Sequence, residues 1–430
     1  MAGRMNSRDR VLAAVNFREP DRTPIDLGAM RASGINAVVY DELKRRMGFR
    51  TPTKVRDAMQ ILAEVELPVL EKLHVDVVAL EGSTARWAAQ DARKGVERQL
   101  FCGKRVCFQP GTRIAEEAGG DWVLLGESGK AVARMPREGY YFDFIRPTMS
   151  GRKIDPKAFR PAATVSDEEL EGLRLRAKEL YEGTDKAILG WGRCLSLLGM
   201  SALLAENITQ GALDEWLIML MTEKETAHEM MGRFADAVIA CLALYHEAVG
   251  ERAVAWGIGS DDAGTQRGPL VARELFAEMI RPHYERVCRW VHEHTGWKTF
   301  LHSCGSIREY IGEWVEAGVD ILNPVQISAA GMGPEELKRE FGGKVVFWGG
   351  GCDTQRVLPL GTLAEVREHV RRNLEAFSPG GGYVFTQVHN IQQNVPVENV
   401  EAMFEAAYEF GQRGRGSRKE RDEEGDRGLV

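Results

Sequence analysis

Residues that can bind a metal ion follow apolar runs in the second half of the chain. His302 and Cys304 lie two residues apart at the end of the predicted strand Thr299–His302. In an extended segment, residues i and i+2 point the same way, and zinc accepts both imidazole nitrogen and thiolate sulfur. The pair therefore indicates a zinc site. The alternative is a buried cysteine beside a hydrogen-bonded histidine.

A second candidate ligand set overlaps the first. Asp353 and His389 each follow a predicted strand, and Glu368 lies inside the helix predicted from about Thr362 to Ala376. That helix should run away from the strand ends, and its rise of about 1.5 Å per residue would displace Glu368 by about 9 Å. The alternative role for Glu368 is an ion pair with Arg372 at i+4. His389 belongs to both sets, so it is the central position of the prediction.

Four further polar residues follow other predicted strands. Asp262 can orient a substrate or support a ligating histidine, and its alternative role is to cap a turn. Arg31 follows the first predicted strand and can bind an anion or form a surface ion pair. Asn323 and Gln326 supply amides that can hold a cofactor or cap a turn.

The elements that must position these residues alternate between strand and helix. Eight strand candidates separated by helical patterns predict an α/β protein, a (β/α)8 TIM barrel whose strand ends share one face. The stretch from about 38 to 75 reads as helical in two or three pieces. Residues 87–144 alternate apolar and polar with turn pairs, which predicts an antiparallel β insertion. The strand candidates are Ile25–Leu27, Val75–Leu80, Ala187–Trp191, Ala253–Ile258, Thr299–His302, Asp320–Asn323, Val345–Trp348 and Tyr383–Val388.

Composition narrows the class of protein. The 430 residues carry a net charge of −7, which disfavours nucleic acid as a partner. No apolar run approaches the ~18 residues of a membrane span. Seven cysteines in a chain of this length fit a cytoplasmic protein. We predict one barrel domain over 1–411, with an N-terminal helical extension, and a disordered charged tail over 412–430.

Several motifs together resemble the uroporphyrinogen decarboxylase superfamily, which is built on a (β/α)8 barrel. The similarity covers about residues 6–411 and is weakest in the β insertion. The motifs are Asn6–Val15 with Glu19–Pro24, Asp261–Gly264, His302–Gly305, Leu322–Gln326, Gly350–Gln355 and Val395–Val400.

The resemblance offers three chemistries. The decarboxylases use an Arg-x-x-x-Arg pair, and here Arg31 matches the first position but Ile35 occupies the second. Thiol-activating zinc methyltransferases carry His-x-Cys, matched by His302 and Cys304, and a distant Cys, where this chain has His389.

The third chemistry is ether demethylation. Corrinoid-dependent methyltransferases that demethylate aryl ethers have an acidic-x14-Glu-x20-His pattern, and Asp353, Glu368 and His389 match both gaps. The resemblance thus implies zinc-dependent transfer of a methyl group from a methoxylated donor to a corrinoid protein, in a chain that can form a homodimer. A metal-free decarboxylase and a thiol-activating methyltransferase stay open as alternatives.

Overall fold

Strands and helices alternate along most of the described chain. The computed structural model describes residues 5–82, 95–126, 128–145, 156–198 and 213–412. The strands are β1 (Val55–Asp57), β2 (Leu62–Ala63), β3 (Val77–Glu81), β4 (Val96–Gln99), β5 (Arg105–Phe108), β6 (Ile114–Glu116), β7 (Trp122–Leu125), β8 (Ala131–Met135), β9 (Asp143–Phe144), β10 (Ala187–Trp191), β11 (Ala255–Ser260), β12 (Lys298–His302), β13 (Ile321–Asn323), β14 (Val346–Trp348) and β15 (Tyr383–Val384). The helices are α1 (Ser7–Val15), α2 (Ala37–Arg46), α3 (Leu67–Lys72), α4 (Asp167–Gly183), α5 (Leu213–Thr222), α6 (Lys224–Val249), α7 (Arg273–Met279), α8 (Arg281–His294), α9 (Arg308–Glu316), α10 (Pro334–Phe341), α11 (Val357–Leu360), α12 (Leu363–Phe377) and α13 (Val397–Phe410).

A parallel sheet in the order β15-β14-β13-β12-β11-β10-β3 forms the centre of the protein. The segment around Ile25 closes the gap between its two edges. Ile25 pairs in parallel with Phe385 beside β15, and the Asp76 backbone N–H just before β3 donates to the Ile25 carbonyl at 2.8 Å. This short pairing takes the place of a regular first strand, and the predicted (β/α)8 barrel is confirmed.

Two apolar layers stabilise the barrel. Its interior is filled by strand residues such as Phe300 and Trp348, and α1 covers one end with Val11 and Val15. Outside the sheet, Trp256 stacks on the ring of Trp297. Burying large side chains on both faces is typical of parallel sheets covered by helices.

The predicted antiparallel insertion is present as a β4–β5 pair and a β6–β7–β8–β9 meander. Residues 87–94 of the predicted insertion lie outside the described residues. The insertion packs against residues that connect α2 and α3, where the Phe142 N–H donates to the Met59 carbonyl at 2.6 Å. This connection contains the β1–β2 hairpin, which corrects the prediction of two or three helical pieces over 38–75. The strands were missed because each is only two or three residues long.

The predicted tail lies outside the described residues except for Gln412, whose backbone pairs with Arg22. Among the described residues, no helix has the length and apolar character that crossing a bilayer requires.

Candidate metal centre

Three side chains that can bind a metal converge at the carboxyl end of the barrel strands. The ligand atoms of His302, Cys304 and His389 all lie within 4.8 Å of one another. His302 ends β12, Cys304 follows it by two residues, and His389 follows β15. The His302 Nε2 atom lies 3.4 Å from the Cys304 sulfur. His302 is buried and the other two are half-buried, so the cluster faces the mouth of the barrel.

Tight loop packing holds Cys304 in this position. Gly305 has a φ of +91°, and a Cβ atom there would lie 2.1 Å from the Gly264 carbonyl oxygen of the neighbouring loop. Only glycine allows this approach without strain. Gln326 accepts a hydrogen bond from the Gly305 N–H at 2.8 Å, and Asp262 accepts one from the Cys304 N–H at 3.1 Å.

Asparagine side chains orient both imidazoles. The sheet register places Asn323 beside His302, and its Oδ1 atom lies 2.7 Å from the His302 Nδ1 atom. The Asn323 amide donates to the Trp348 carbonyl at 2.8 Å. Asn390 Oδ1 lies 3.0 Å from His389 Nδ1. Each histidine therefore has one ring nitrogen engaged by an amide.

The charges of the cluster favour a thiolate. Burial opposes ionisation of the Cys304 thiol, but the neighbouring His302 imidazole outweighs burial and lowers the pKa of Cys304 below its usual value. In return, although burial acts against it, the Cys304 and Asp262 negative charges raise the pKa of His302 well above its usual value. The Asp262 carboxylate lies 3.5 Å from His302 Nε2.

The donor set fits a zinc ion. Two imidazole nitrogens and one thiolate are ligands that zinc accepts, and three protein ligands leave a fourth position for a substrate. With ligand bonds of about 2.1 Å to nitrogen and about 2.3 Å to sulfur, a tetrahedral ion needs nitrogen and sulfur atoms about 3.6 Å apart. The 3.4 Å separation between His302 Nε2 and Cys304 Sγ matches this requirement.

Comparison with known proteins identifies the family. A model of the uroporphyrinogen decarboxylase family matches residues 170–410, which is more than half of the chain. The chain belongs to the uroporphyrinogen decarboxylase family. The uroporphyrinogen decarboxylases of Actinobacillus succinogenes and Anaeromyxobacter dehalogenans are 26% and 28% identical to it over 200 and 198 residues. Each match covers 45% of this chain and 51% of the relative, so the matched region spans about half the length of these relatives.

A solved structure shows the same fold over nearly the whole chain. The methyltransferase from Methanosarcina mazei superposes with a TM-score of 0.55, covering 94% of this chain and 99% of its own. Its sequence identity is 16%, so the likeness concerns the fold.

In this member of the uroporphyrinogen decarboxylase family, the other predicted ligands lie apart from the cluster. The Asp353 carboxylate is buried and accepts hydrogen bonds from the Gln355 and Arg356 backbone N–H groups at 3.1 and 3.0 Å, so it caps its own loop. Glu368 lies on the exposed face of α12 and pairs with Arg371 at 2.7 Å and with Arg372 at 3.6 Å. The structure brings neither carboxylate to His389, and the i+4 ion pair expected from helix spacing is present.

Arg31 and Cys352 occupy different environments from the cluster. The Arg31 side chain is 61% exposed and pairs with Asp57 at 3.1 Å, as the surface-ion-pair alternative expects. Cys352 is fully buried, which raises the pKa of its thiol and keeps it protonated.

An aromatic layer is formed by side chains of three barrel strands. Trp191, Phe300 and Trp348 come from alternate strands, and their rings pack edge to face at 5.9 and 5.4 Å. Trp348 donates its indole N–H to Asp26 at 2.8 Å. Burial raises the pKa of Asp26 to about 6, against the effect of that hydrogen bond. Asp26 and Asn390 were not singled out from the sequence, because a lone polar residue after a strand carries no distinguishing signal.

Proposed function

We propose that this protein is a zinc-dependent methyltransferase that moves a methyl group from a methoxylated aromatic donor to a corrinoid carried by a partner protein. One observation carries the proposal: the ligand atoms of His302, Cys304 and His389 converge within 4.8 Å at the mouth of the barrel. The methyltransferase from Methanosarcina mazei has the same fold, so methyl transfer is compatible with this barrel.

The charges of the three ligands favour an ether donor. A zinc ion held there would supply positive charge beside the leaving oxygen of the donor, where negative charge develops as the methyl group departs. Only Cys304 brings a negative charge, because the two imidazoles bind a metal in their neutral form. This ligand set therefore cancels about half of the charge of a divalent ion, whereas three thiolates would reverse its sign.

The aromatic layer supports an aromatic donor. Trp191 is half-buried at the end of β10, and its ring packs against Phe300. Phe300 precedes His302 by two residues on β12, so both side chains point to the same side of the strand. Phe300 and Trp348 are fully buried, so the half-buried Trp191 is the member of the layer that a flat aromatic donor would contact. Asp262 would hold the Cys304 loop in place through its bond to the Cys304 N–H.

A corrinoid protein is the partner class that this chemistry requires. The methyl carbon has to meet the cobalt of the corrinoid in line with the breaking bond, because displacement needs the attacking and leaving atoms on opposite sides. The partner must therefore dock over the barrel mouth, next to the half-buried Cys304 and His389.

A thiol-activating methyltransferase is the second candidate. The pairing of Cys304 with His302 at 3.4 Å favours it, because a soft sulfur ligand suits a metal that binds thiols. In that reaction the methyl group would move from the corrinoid to a thiol. The two candidates differ in the direction of transfer and in the small substrate.

Metal analysis and a substrate screen test the proposal. We expect purified protein to contain about one equivalent of zinc and to methylate a reduced corrinoid protein from methoxylated aromatics. A metal-free protein that releases carbon dioxide from a carboxylated ring would overturn the proposal in favour of a decarboxylase. Methylation of a thiol by the methylated corrinoid protein, without demethylation of any ether, would select the second candidate.

A further inference from the structure

The direction of one hydrogen bond next to the cluster is fixed by its surroundings. Asn323 is almost completely buried, with 1% of its surface exposed, and its amide contacts two groups. One amide atom lies 2.8 Å from the Trp348 backbone carbonyl, and the other lies 2.7 Å from the His302 Nδ1 atom. A carbonyl oxygen can only accept a hydrogen bond, so the atom facing Trp348 must be the NH2 group.

The orientation of Asn323 then determines that of the imidazole proton. With its NH2 group turned to Trp348, Asn323 presents its oxygen to His302, and an oxygen can only accept from Nδ1. His302 Nδ1 therefore carries a proton and donates it. The lone pair of a neutral His302 is confined to Nε2, the atom that lies 3.4 Å from the Cys304 sulfur.

We infer that Asn323 is a positioning residue that reserves the Nε2 atom of His302 for the metal. The inference rests on the metal site of the proposed function and adds which nitrogen binds the ion and which side chain selects it. Outer residues that fix the ring orientation and tautomer of a ligating histidine typically contribute 10–100-fold to metal affinity. Here an amide anchored by a backbone carbonyl takes the part that a carboxylate often plays.

The sheet register also determines where Asn323 lies relative to His302. The register of β12 and β13 pairs His302 with Asn323 directly, so the two side chains leave neighbouring strands at the same level. The adjoining loop is fixed by a close approach, because a Cβ atom on Gly349, whose φ is +138°, would lie 1.9 Å from the Pro324 carbonyl oxygen. Turning the Asn323 amide over would break its hydrogen bond to the Trp348 carbonyl.

Zinc affinity of the full-length protein tests the inference without a donor or a corrinoid partner. We expect Asn323→Leu to lower zinc affinity 10–100-fold in competition with a chelator. Asn323→Asp keeps an oxygen acceptor toward Nδ1 but loses the donor to the Trp348 carbonyl, so it should retain more zinc affinity than Asn323→Leu. The matched control is Asn373→Leu, which removes another buried asparagine that donates to the Gly351 carbonyl at 3.1 Å and contacts none of the three ligands.

Nitrogen-15 NMR of the histidines gives a readout that loss of packing alone would not change. In the zinc-loaded wild type, His302 should show a protonated Nδ1 and a metal-bound Nε2, and the Asn323→Leu variant should lose this single pattern. Equal zinc affinities of Asn323→Leu and Asn373→Leu, or a metal-bound Nδ1 in the wild type, would overturn the inference.

The outcome separates this inference from the proposed function. Zinc binding that depends on Asn323 in a protein that transfers no methyl group would sustain the inference and overturn the proposed function. Methyl transfer by a protein whose zinc affinity does not depend on Asn323 would support the proposed function and overturn the inference.

Discussion

The two ends of the barrel both bury polar side chains, but they use them differently. At the amino end of β3, Asp76 is completely buried and accepts four hydrogen bonds, one from Arg10, two from Arg22 and one from the Ile25 N–H, at 2.7 to 2.9 Å. At the carboxyl end of β12, His302 uses one ring nitrogen on Asn323 and directs the other toward the mouth. Asp76 has all of its hydrogen bonds made within the protein, whereas His302 keeps one ring nitrogen that can bind a metal.

The contrast indicates that the buried polar groups at the amino end of the barrel serve stability, whereas those at the carboxyl end serve chemistry. A buried charge is tolerated when it is paired and fully hydrogen-bonded, and Asp76 joins α1, the segment at Ile25 and β3 where the barrel closes. Active sites of this fold lie at the carboxyl ends of the strands, which is where His302, Cys304 and His389 converge.

Removal of a histidine ligand should produce the largest effect. We expect His302→Ala and His389→Ala to contain no bound zinc and to lose methyl transfer by a factor on the order of 1,000, because the charge at the leaving oxygen is worth several kcal/mol. Metal analysis and an initial-rate assay measure both quantities. Retention of one zinc equivalent in both variants would place the metal elsewhere.

Loss of the Asp76 carboxylate should lower the stability of the amino end of the barrel. Asp76→Ala removes the carboxylate that pairs with the buried Arg22 and leaves Arg10 paired with Asp21 alone, so we expect the free energy of unfolding to fall by about 3–5 kcal/mol. Urea unfolding measures the change. Zinc content per folded molecule should stay at the wild-type level, and a stable Asp76→Ala protein that has lost its zinc would contradict the separation of the two ends.

The aromatic layer should contribute to binding of the donor. Trp191→Ala removes the ring that would contact the aromatic donor, an interaction worth about 0.5–1.5 kcal/mol. We therefore expect KM for a methoxylated aromatic to rise roughly 2–10-fold. Zinc content should not change. Trp290→Ala, which removes a half-buried tryptophan on the outer helix α8, is the control and should leave KM unaltered. An equal rise in KM for Trp191→Ala and Trp290→Ala would show that the aromatic layer does not contribute to binding of the donor.

Glu368 should give the smallest effect of the four and decides between the overlapping ligand sets. Its side chain is 47% exposed and paired with Arg371 and Arg372, so Glu368→Ala should leave zinc content and methyl transfer unchanged. The same assays as for His389→Ala apply. If zinc is lost on this substitution, the metal is bound by Asp353, Glu368 and His389, and α12 must move to form the site.

Much of the architecture followed from patterns that are local in sequence. Apolar runs of strand length alternating with helical periodicity predicted the barrel, and the i, i+2 spacing of His302 and Cys304 predicted a shared direction. For Glu368, predicted as a metal ligand, helix geometry offered the alternative of an ion pair with Arg372, and the structure contains that pair. These inferences succeeded because period and spacing depend only on backbone geometry.

The composition of the cluster and its support required the tertiary structure. Two ligand sets shared His389 in the sequence, and only barrel closure shows which groups lie near it, because His302 and His389 are 87 residues apart along the chain (389 − 302 = 87). The roles of Asn323 and Asp76 were equally hidden, since an amide or a carboxylate after or before a strand gives no hint of its partner. Strand register places Asn323 beside His302, and barrel closure brings Asp76 to its partners. Both depend on contacts between residues distant in sequence.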